Sequence, residues 1–484
     1  MGETHRSALG CSFNGSIRVE GRPERLTTNA GVLALRESDE RIGLTAWLAN
    51  ALRDRRSPLL ITHPLVELLR ARLYLMAQGH RDQDDADRLR HDPALRMAVS
   101  ERRGLSPLET PQNTLTPDGL ASQPTQSRLI EALSCEDNLS ALNAALFEWA
   151  RRDVFAHRGR RFKRVTLDVD STAIRVHGRQ AGSANNGHYH MRCYHPIVTM
   201  LAETGAWLAA KLRPGNVWTA EGVVDHLLPV IDRVETGIAR VASVRGDAGF
   251  PEEKLLAALE GRRIGYAFRL KTNPVLQRKA QPFLLRPPGR PPNEPRTWFH
   301  ELAYRAEPWS RARRVVLVVL ERPGELFLDS FFLLTNWSVE QMPAAELLDF
   351  YRQRGTMEGH IGELKSVLEP ALSCTTRPKS HINGRAPKTR TPARDAEQAN
   401  AATFLLYALA YNLANTLRRT VSAAVPGRHG AAWSLDRLRR VLLVAAARVI
   451  VSARRATFVI NDASTDLWRS VWSGLDRLRP LDTS

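Results

Sequence analysis

The stretch YRQRGTMEGHIGELK, residues 351–365, combines charged side chains with three glycines at helical spacing. On a helical wheel of about 100° per residue, four of its polar residues fall within roughly 60° of one another. These four are Tyr351, Arg354, Glu358 and Lys365. An apolar stripe lies beside them and consists of Met357, Ile361, Leu364 and Leu368. The pattern predicts one helix with a core side and a chemical side.

The other flank of this predicted helix carries Gly355, Gly359 and Gly362. Each glycine should cost about 1 kcal/mol relative to alanine in a helix interior, so their presence needs a compensating reason. A flank without side chains would let a bulky polyanion approach the backbone closely. The alternative is a surface helix whose charged residues are merely solvated and whose glycines admit a neighbouring element.

Two other segments place carboxylates in or directly after predicted strands. FKRVTLDVDSTAIRVHG alternates apolar and polar residues, which predicts a strand with Asp168 and Asp170 on the face opposite the apolar residues. RVASVRGDAGF reads as a strand that ends at Asp247. Carboxylates at such positions are poorly placed for a core and well placed for a functional site.

Asp170, Asp247 and Glu358 together would supply three hard oxygen ligands, which suit two Mg²⁺ ions. Ions held about 3.5 to 4 Å apart would activate water or a 3′-hydroxyl and stabilise the leaving oxygen of a phosphodiester. Arg354 and Lys365 would then bind the flanking phosphates. Tyr351 could hydrogen-bond to the nucleic acid strand or stack against it.

The charge balance of the chain favours a polyanionic partner. Lys and Arg total 69 against 51 Asp and Glu, which gives a net charge of +18 and a pI near 10.4. Nucleic acid is the simplest partner for such a protein. A genome rich in arginine codons would also raise the pI without any ligand, so charge alone leaves both explanations open.

Cysteine usage and hydropathy indicate the compartment. The four cysteines are scattered without paired spacing, which suits a reducing environment. Uninterrupted apolar runs such as VVLVVL at 315–320 are far short of the roughly 20 residues that a membrane span needs. The N-terminus lacks an apolar signal core. We therefore expect an intracellular protein with no membrane association.

Several blocks of the chain, taken in order, resemble one family. YRQRGTMEGHIGELK matches the Y-x2-R-x3-E-x6-K signature of IS4-type DDE transposases, and LDVDSTAIRVHGRQ and VRGDAGF resemble the two Asp blocks. LLTNW resembles the strand before the Glu helix. GVLALRESDERIGLT, LASQPTQSRL, LAYNLANTLRR and ARVIVSARR resemble the IS1380 branch. The resemblance covers nearly the whole chain.

This resemblance implies an α/β fold, with an RNase H-like catalytic core, a β-rich insertion and a helical N-terminal DNA-binding region. It also implies a transposase that cuts and rejoins DNA at the terminal inverted repeats of its own insertion sequence. Asp170, Asp247 and Glu358 carry over as catalytic metal ligands for Mg²⁺, with Mn²⁺ able to substitute. Asp168 stays open as an alternative first ligand, and Asn216 matches a family position whose role we expect to be a turn.

The resemblance and the composition together predict five units. They are a mainly helical DNA-binding region at 1–155, a first core part at 160–276, a basic β-rich insertion at 277–340, a second core part with the Glu helix at 341–425, and a C-terminal region at 426–484. Within the last two units, the pattern predicts a buried helix at ANAATFLLYALAYNLANTLRR, a hairpin at RVIVSARRATFVIN, and helices around 431–447 and 464–478.

The expected partner is double-stranded DNA, both the terminal inverted repeats and the target. The resemblance further implies a homodimer on DNA and a bacterial, cytoplasmic, nucleoid-associated location.

The segment TTRPKSHINGRAPKTRTPAR has six Lys or Arg and no acid, which departs from the family in length and charge.

Several other residues allow more than one interpretation. His188, His190, Cys193 and His195 are close enough in sequence to suggest zinc, although a structural strand fits their spacing better. Trp298, Trp309 and Trp337 could stack on an unpaired base, but core packing is the favoured role. A catalytically silent DNA-binding descendant and an RNase H-like nuclease are the alternatives to an active transposase.

Overall fold

Helices dominate the first third of the chain. The computed structural model describes residues 9–109, 118–158, 162–178, 180–286, 292–374, 396–427 and 430–479. Three short strands come first: β1 (Leu9–Cys11), β2 (Asn14–Val19) and β3 (Arg25–Thr27). Seven helices follow: α1 (Val32–Ile42), α2 (Leu44–Ala51), α3 (Leu65–Ala77), α4 (Asp85–Arg88), α5 (Pro93–Val99), α6 (Gln123–Leu133) and α7 (Glu136–Arg158).

The α/β pattern after residue 160 is confirmed element by element. The strands are β4 (Arg164–Ser171), β5 (Ile174–Arg175), β6 (Ala184–Asn186), β7 (Met191–Tyr194), β8 (Ile197–Leu201) and β9 (Ala206–Lys211). Then come α8 (Val223–Gly237), β10 (Arg240–Gly246), α9 (Glu253–Gly261), β11 (Gly265–Leu270) and α10 (Pro274–Ala280). The alternation predicted for β4 is correct, because Val165, Leu167 and Val169 are buried in a core that they share with α8 and α9.

One eight-stranded sheet organises the molecule. The segment 277–340 contributes three long strands: β12 (Arg296–Tyr304), β13 (Arg313–Glu321) and β14 (Asp329–Thr335). The strand order is β12-β13-β14-β11-β10-β4-β8-β9. β4, β10 and β11 are parallel to one another, whereas β8 is antiparallel to β4 and β14 is antiparallel to β11. The strands of the β-rich segment therefore extend the large sheet.

The single helix predicted over 351–365 is wrong. The structure has α11 (Ala344–Arg352), then α12 (Gly355–Glu363), then a π-helical turn at Leu364–Leu368. The break has a tertiary cause: the Arg245 guanidinium donates a hydrogen bond of 2.8 Å to the Phe350 carbonyl. The Arg354 N–H turns back to the Tyr351 carbonyl instead of bonding to that of Phe350.

The C-terminal third packs around one long helix, α13 (Ala396–Ala424). Its apolar residues surround the whole helix circumference, so it must be buried, and it shares one core with α1, α3 and α7. It also covers the edge of the sheet, because Asn412 exchanges two hydrogen bonds with the backbone of Trp207 on β9, at 2.8 and 2.9 Å. Both backbone polar groups of Trp207 are thereby satisfied.

The predicted C-terminal hairpin is confirmed, but the helix expected around 431–447 is mostly wrong. That region has a short α14 (Leu435–Leu438), a π-helical turn at Arg439–Leu443, and then β15 (Ala447–Ser452), which pairs with β16 (Arg455–Val459). β15 also pairs with β3 from the N-terminal region, and such non-local pairing cannot be read from local spacing. The last helix is α15 (Thr465–Asp476). Of the helices in the described part of the chain, none has the length and apolar composition that crossing a membrane requires.

Candidate active site

The two predicted aspartates meet because their strands are parallel neighbours. Gly246, the last residue of β10, pairs with Val169 of β4, so Asp247 and Asp170 follow at the same edge of the sheet. Strand ends in such sheets are where functional side chains converge. Asp170 is buried and Asp247 is half-buried.

A cleft of about 630 Å³ opens at this edge, and the three predicted metal ligands and the three predicted DNA-binding residues all line it. We call it the carboxylate cleft. Its lining includes Asp170, Asp247, Tyr351, Arg354, Glu358 and Lys365. α12 supplies Glu358 from its first turn, where its charge is favourable for the helix dipole. The four polar residues of the 351–365 stretch therefore reach one cleft although the helix is broken.

Arg354 joins two of the three acids. Its Nη2 donates to Asp170 Oδ2 at 2.7 Å, and its Nη1 donates to Glu358. Arg354 is only 6% exposed, whereas the Glu358 side chain is 59% exposed. The Arg354 Nε is buried and has no acceptor among the residues that the structure describes. The guanidinium thus supplies the positive charge between the two carboxylates.

The surroundings of Asp170 in the cleft disfavour its charged form. The pKa of Asp170 is raised to about 7, chiefly by burial; the neighbouring carboxylates of Asp247 and Glu358 contribute to the rise, and Arg354 opposes it. Like charges that share a poorly solvated site favour a cation beside them. The guanidinium of Arg354 therefore offsets the negative charge of these carboxylates only in part.

Asp168 has a different environment from Asp170. Arg245 of β10 grips it with two hydrogen bonds, Nε to Oδ1 at 2.7 Å and Nη2 to Oδ2 at 2.9 Å, and both side chains are 3% exposed. The third nitrogen of Arg245 bonds to the Phe350 carbonyl, and its guanidinium lies 4.9 Å from the centre of the Phe350 ring. Asp168 thus ties β4 to β10 and α11 and does not line the carboxylate cleft.

Sequence reasoning missed several residues that line the cleft. Arg269, Lys271 and Thr272 come from the end of β11, and Tyr189 comes from the turn before β7. The Arg269 guanidinium lies 5.1 Å from the centre of the Phe331 ring. Charged residues at the carboxyl end of a third parallel strand were a usable signal, but their relevance depends on β11 lying beside β10.

The glycine flank of α12 is open. Gly355, Gly359 and Gly362 are all exposed, and a methyl group added to any of them would meet nothing within 4 Å. By contrast, the apolar stripe of Met357, Ile361, Leu364 and Leu368 is buried as expected. The glycines therefore do not admit a neighbouring element of the described chain. Lys365 lies nearby and donates to Thr172 Oγ1 at 3.2 Å.

The residues of the cleft have the right chemistry for a divalent cation. Three carboxylates facing one cavity provide the hard oxygen donors that Mg²⁺ and Mn²⁺ prefer. The pKa of Asp170 is raised chiefly by burial, and the carboxylates of Asp247 and Glu358 contribute to the rise, so a cation beside these groups would be favourable. In the part of the chain that the structure describes, no three such side chains are already gathered at ligand distance. The donor set fits a metal, while the compact ligand arrangement does not yet exist.

The other nominated residues have structural surroundings. His188 and His190 are exposed in a turn, Cys193 is fully buried, and the His195 ring Nδ1 lies 3.2 Å from the Val217 carbonyl oxygen. Asn216 is exposed in a turn, as expected. Among the tryptophans, Trp309 is buried against Tyr304, and Trp337 packs on Phe350. The segment 375–394 lies outside the described residues.

A family model described as transposase DDE domain group 1 matches residues 10–481. The chain belongs to this family of DDE transposases. Its structure is similar, with a TM-score of 0.36 and 15% identity, to that of a piggyBac transposase in a synaptic complex with hairpin DNA, determined by cryo-EM. The match covers 87% of this chain and 80% of that chain. No curated protein sequence matches this transposase.

The two aspartates of β4 should respond to the same substitution to different extents. Asp168→Asn removes the charge that compensates a buried guanidinium, which should lower the free energy of unfolding by about 3 to 5 kcal/mol. Asp170→Asn should lower it by less, because Arg354 keeps its ion pair with Glu358 and the substitution relieves the repulsion from Asp247 and Glu358. Denaturant titration of the two variants measures both effects. A neutral Asp168→Asn together with a strongly destabilising Asp170→Asn would exchange their assigned roles.

Proposed function

We propose that this transposase acts on an insertion sequence of the IS4 type, in the IS1380 branch. It binds the terminal inverted repeats of the element, cuts the DNA there and joins it to a target. The observation that carries this proposal is the convergence of Asp170, Asp247 and Glu358 in one cleft with Arg354 and Lys365. A protein that merely binds a polyanion would gain nothing from three acids on the binding surface.

The sheet supports an RNase H-like core for the proposed reaction. Taken from β9 through β8, β4 and β10 to β11, the strands number 3-2-1-4-5 in chain order, with only the second of these five antiparallel to the first. In such a core the first and fourth strands lie side by side and bring their terminal carboxylates together. β12, β13 and β14 then form the proposed insertion, continuing the sheet beyond β11. The division of the chain into five units remains a prediction.

Asp170, Asp247 and Glu358 would hold Mg²⁺ or Mn²⁺, which when bound supplies Lewis acidity for phosphodiester cleavage and strand transfer. Arg354 keeps the Asp170 and Glu358 carboxylates together before DNA arrives, and its charge favours the ionised form of Asp170.

The cations of the cleft would bind DNA phosphates on both sides of the reacting bond. Lys365 projects from the end of the Glu358 segment, and Arg269 and Lys271 line the cleft from β11. Tyr351 is half-buried beside them and can donate a hydrogen bond to a phosphate oxygen. The open glycine flank lets the DNA backbone lie close to α12. Double-stranded DNA is therefore the proposed partner.

The family resemblance also supports two further parts of the proposal. The transposase would act as a homodimer on DNA, since two element ends must be processed together. It would work in the bacterial cytoplasm in association with the nucleoid.

Replacing Glu358 by glutamine should abolish cleavage and leave DNA binding intact. Purified protein is incubated with Mg²⁺ and a labelled duplex carrying the ends of the flanking element. Loss of one carboxylate ligand should slow end cleavage by at least about a hundredfold, since such groups contribute several kcal/mol to transition-state stabilisation. Glu346→Gln is the matched control, because Glu346 is exposed on α11 and does not line the cleft.

Each other outcome selects a different function. Binding without cleavage by the wild type would favour a silent DNA-binding descendant. Cleavage without joining would favour a nuclease. Equal cleavage by wild type and Glu358→Gln would remove Glu358 from the reaction.

The open flank of α12 should show a conflict between stability and DNA binding at Gly359. Gly359→Ala should stabilise the protein by up to about 1 kcal/mol, because it restores helix propensity in open space. Gly359→Gln should also be tolerated by the fold but should weaken DNA binding severalfold, because its long side chain occupies the proposed DNA path. Thermal denaturation and gel-shift titrations measure the two effects.

Gly261 provides the matched control for this experiment. It ends α9, has equally open surroundings and lies near the start of β11, whereas the cleft lies at the end of that strand. Gly261→Gln should leave DNA affinity unchanged. If both glutamine variants bind DNA like the wild type, the glycine flank is not a DNA surface.

A further inference from the structure

A second cavity, of about 270 Å³, lies among the N-terminal helices and α13. We call it the Arg72 pocket, after the side chain that distinguishes it. Arg72 projects from the middle of α3, a helix that is buried along most of its length, and it is 2% exposed. The polar groups that line the pocket with it include Arg81, Gln123, Ser127, Ser373 and Thr403. None of these residues lines the carboxylate cleft.

Among the residues that the structure describes, Arg72 has no compensating partner. It forms neither an ion pair nor a side-chain hydrogen bond with them, and its Nε is buried without an acceptor there. Burial lowers the pKa of Arg72, which means that its surroundings disfavour the charge. A buried guanidinium costs several kcal/mol unless an anion or hydrogen-bond acceptors compensate it. The other buried arginines differ: Arg70 has Asp39 and Glu101, and Arg245 has Asp168.

The remaining charges of the pocket largely cancel. Arg81 forms ion pairs with Glu369 and, at 3.9 Å, with Asp82. Asp84 also lines the pocket but is exposed, so its charge is well screened by water. Arg72 is therefore the uncompensated buried charge, and hydroxyl and amide groups surround it. This combination is typical of a site for a small oxyanion.

We propose that the Arg72 pocket binds a phosphate group. Ser127 and Gln123 approach it from the first turns of α6, whose N-terminal dipole also favours an anion. The phosphate can come from a DNA backbone or from a free phosphate compound.

The sequence beside the pocket is compatible with a DNA source. Cys374 lines the pocket, and the chain continues from it into residues 375–394, which include six Lys or Arg and no acid. The phosphate site does not depend on the cleavage reaction, so its test uses readouts other than catalysis.

The test compares wild type with Arg72→Met, which keeps the side-chain length and removes the charge. About 10 mM inorganic phosphate should raise the Tm of the wild type by at least about 1 °C and should leave Arg72→Met unchanged. Without phosphate, Arg72→Met should melt no lower than the wild type, because it removes an uncompensated buried charge. Arg128→Met is the matched control, since Arg128 is exposed on the same α6 and does not line the pocket; it should respond like the wild type.

Ser127→Leu is a second variant that keeps Arg72 and fills the pocket from its wall; it should also lose the phosphate response. If duplex DNA then binds Arg72→Met at least about fivefold more weakly than Arg128→Met, the phosphate belongs to DNA. Equal DNA binding with a lost phosphate response assigns the pocket to a free phosphate compound. No phosphate response in the wild type, or an equal response in Arg72→Met, would overturn the proposal and leave a pocket filled by water.

Discussion

Asp168 of β4 and Arg245 of β10 face each other across two parallel strands and form a two-pronged ion pair that water barely reaches. Two residues beyond each partner, on the same strand edge, stand Asp170 and Asp247. The pair therefore fixes the relative height of the two candidate ligands. The same guanidinium binds the Phe350 carbonyl and so fixes where α11 ends. One interaction thus positions β4, β10 and the end of α11 relative to one another.

The helix break that follows from this contact has a chemical consequence. Because α11 stops at Arg352, Arg354 can insert between β4 and α12 and bond to both Asp170 and Glu358. The positive charge of Arg354 offsets the repulsion between the Asp170 and Glu358 carboxylates. It also opposes burial, which favours the neutral form of Asp170. The cleft is consequently held together by a group that belongs to the protein, while the open side of α12 faces outward. Such arrangements reduce stability and are retained where a site needs them.

Local patterning was sufficient for the strands and insufficient for the contacts between them. The alternation around Asp168 and Asp170 correctly predicted β4, and the predicted end of β10 at Asp247 lies one residue beyond the observed end at Gly246. The same alternation could not separate the two aspartates, because the difference lies in Arg245, which is 77 residues away from Asp168. Helical spacing likewise predicted the burial of Met357 and Ile361. It did not predict the break between α11 and α12, because that break depends on Arg245 of β10.

Sheet order set another limit on sequence reasoning. Arg269 and Lys271 look like ordinary charges at the end of a strand until β11 is seen to lie beside β10. The 277–340 segment was predicted as β-rich, but its joining of the main sheet could not be inferred from composition. The pairing of β3 with β15 joins residues from opposite ends of the chain, and local periodicity has no information on it.

The most direct test of the account maps a bound metal onto the chain. Fe²⁺ prefers the same carboxylate donors as Mn²⁺ and, with ascorbate and peroxide, produces hydroxyl radicals that cut the nearby backbone. Fragment masses from the intact transposase should locate cuts near residues 170, 247 and 358, and excess Mg²⁺ should suppress all three together. Cuts confined to other parts of the chain, or cuts at these positions that Mg²⁺ does not suppress, would contradict a shared metal site in the carboxylate cleft.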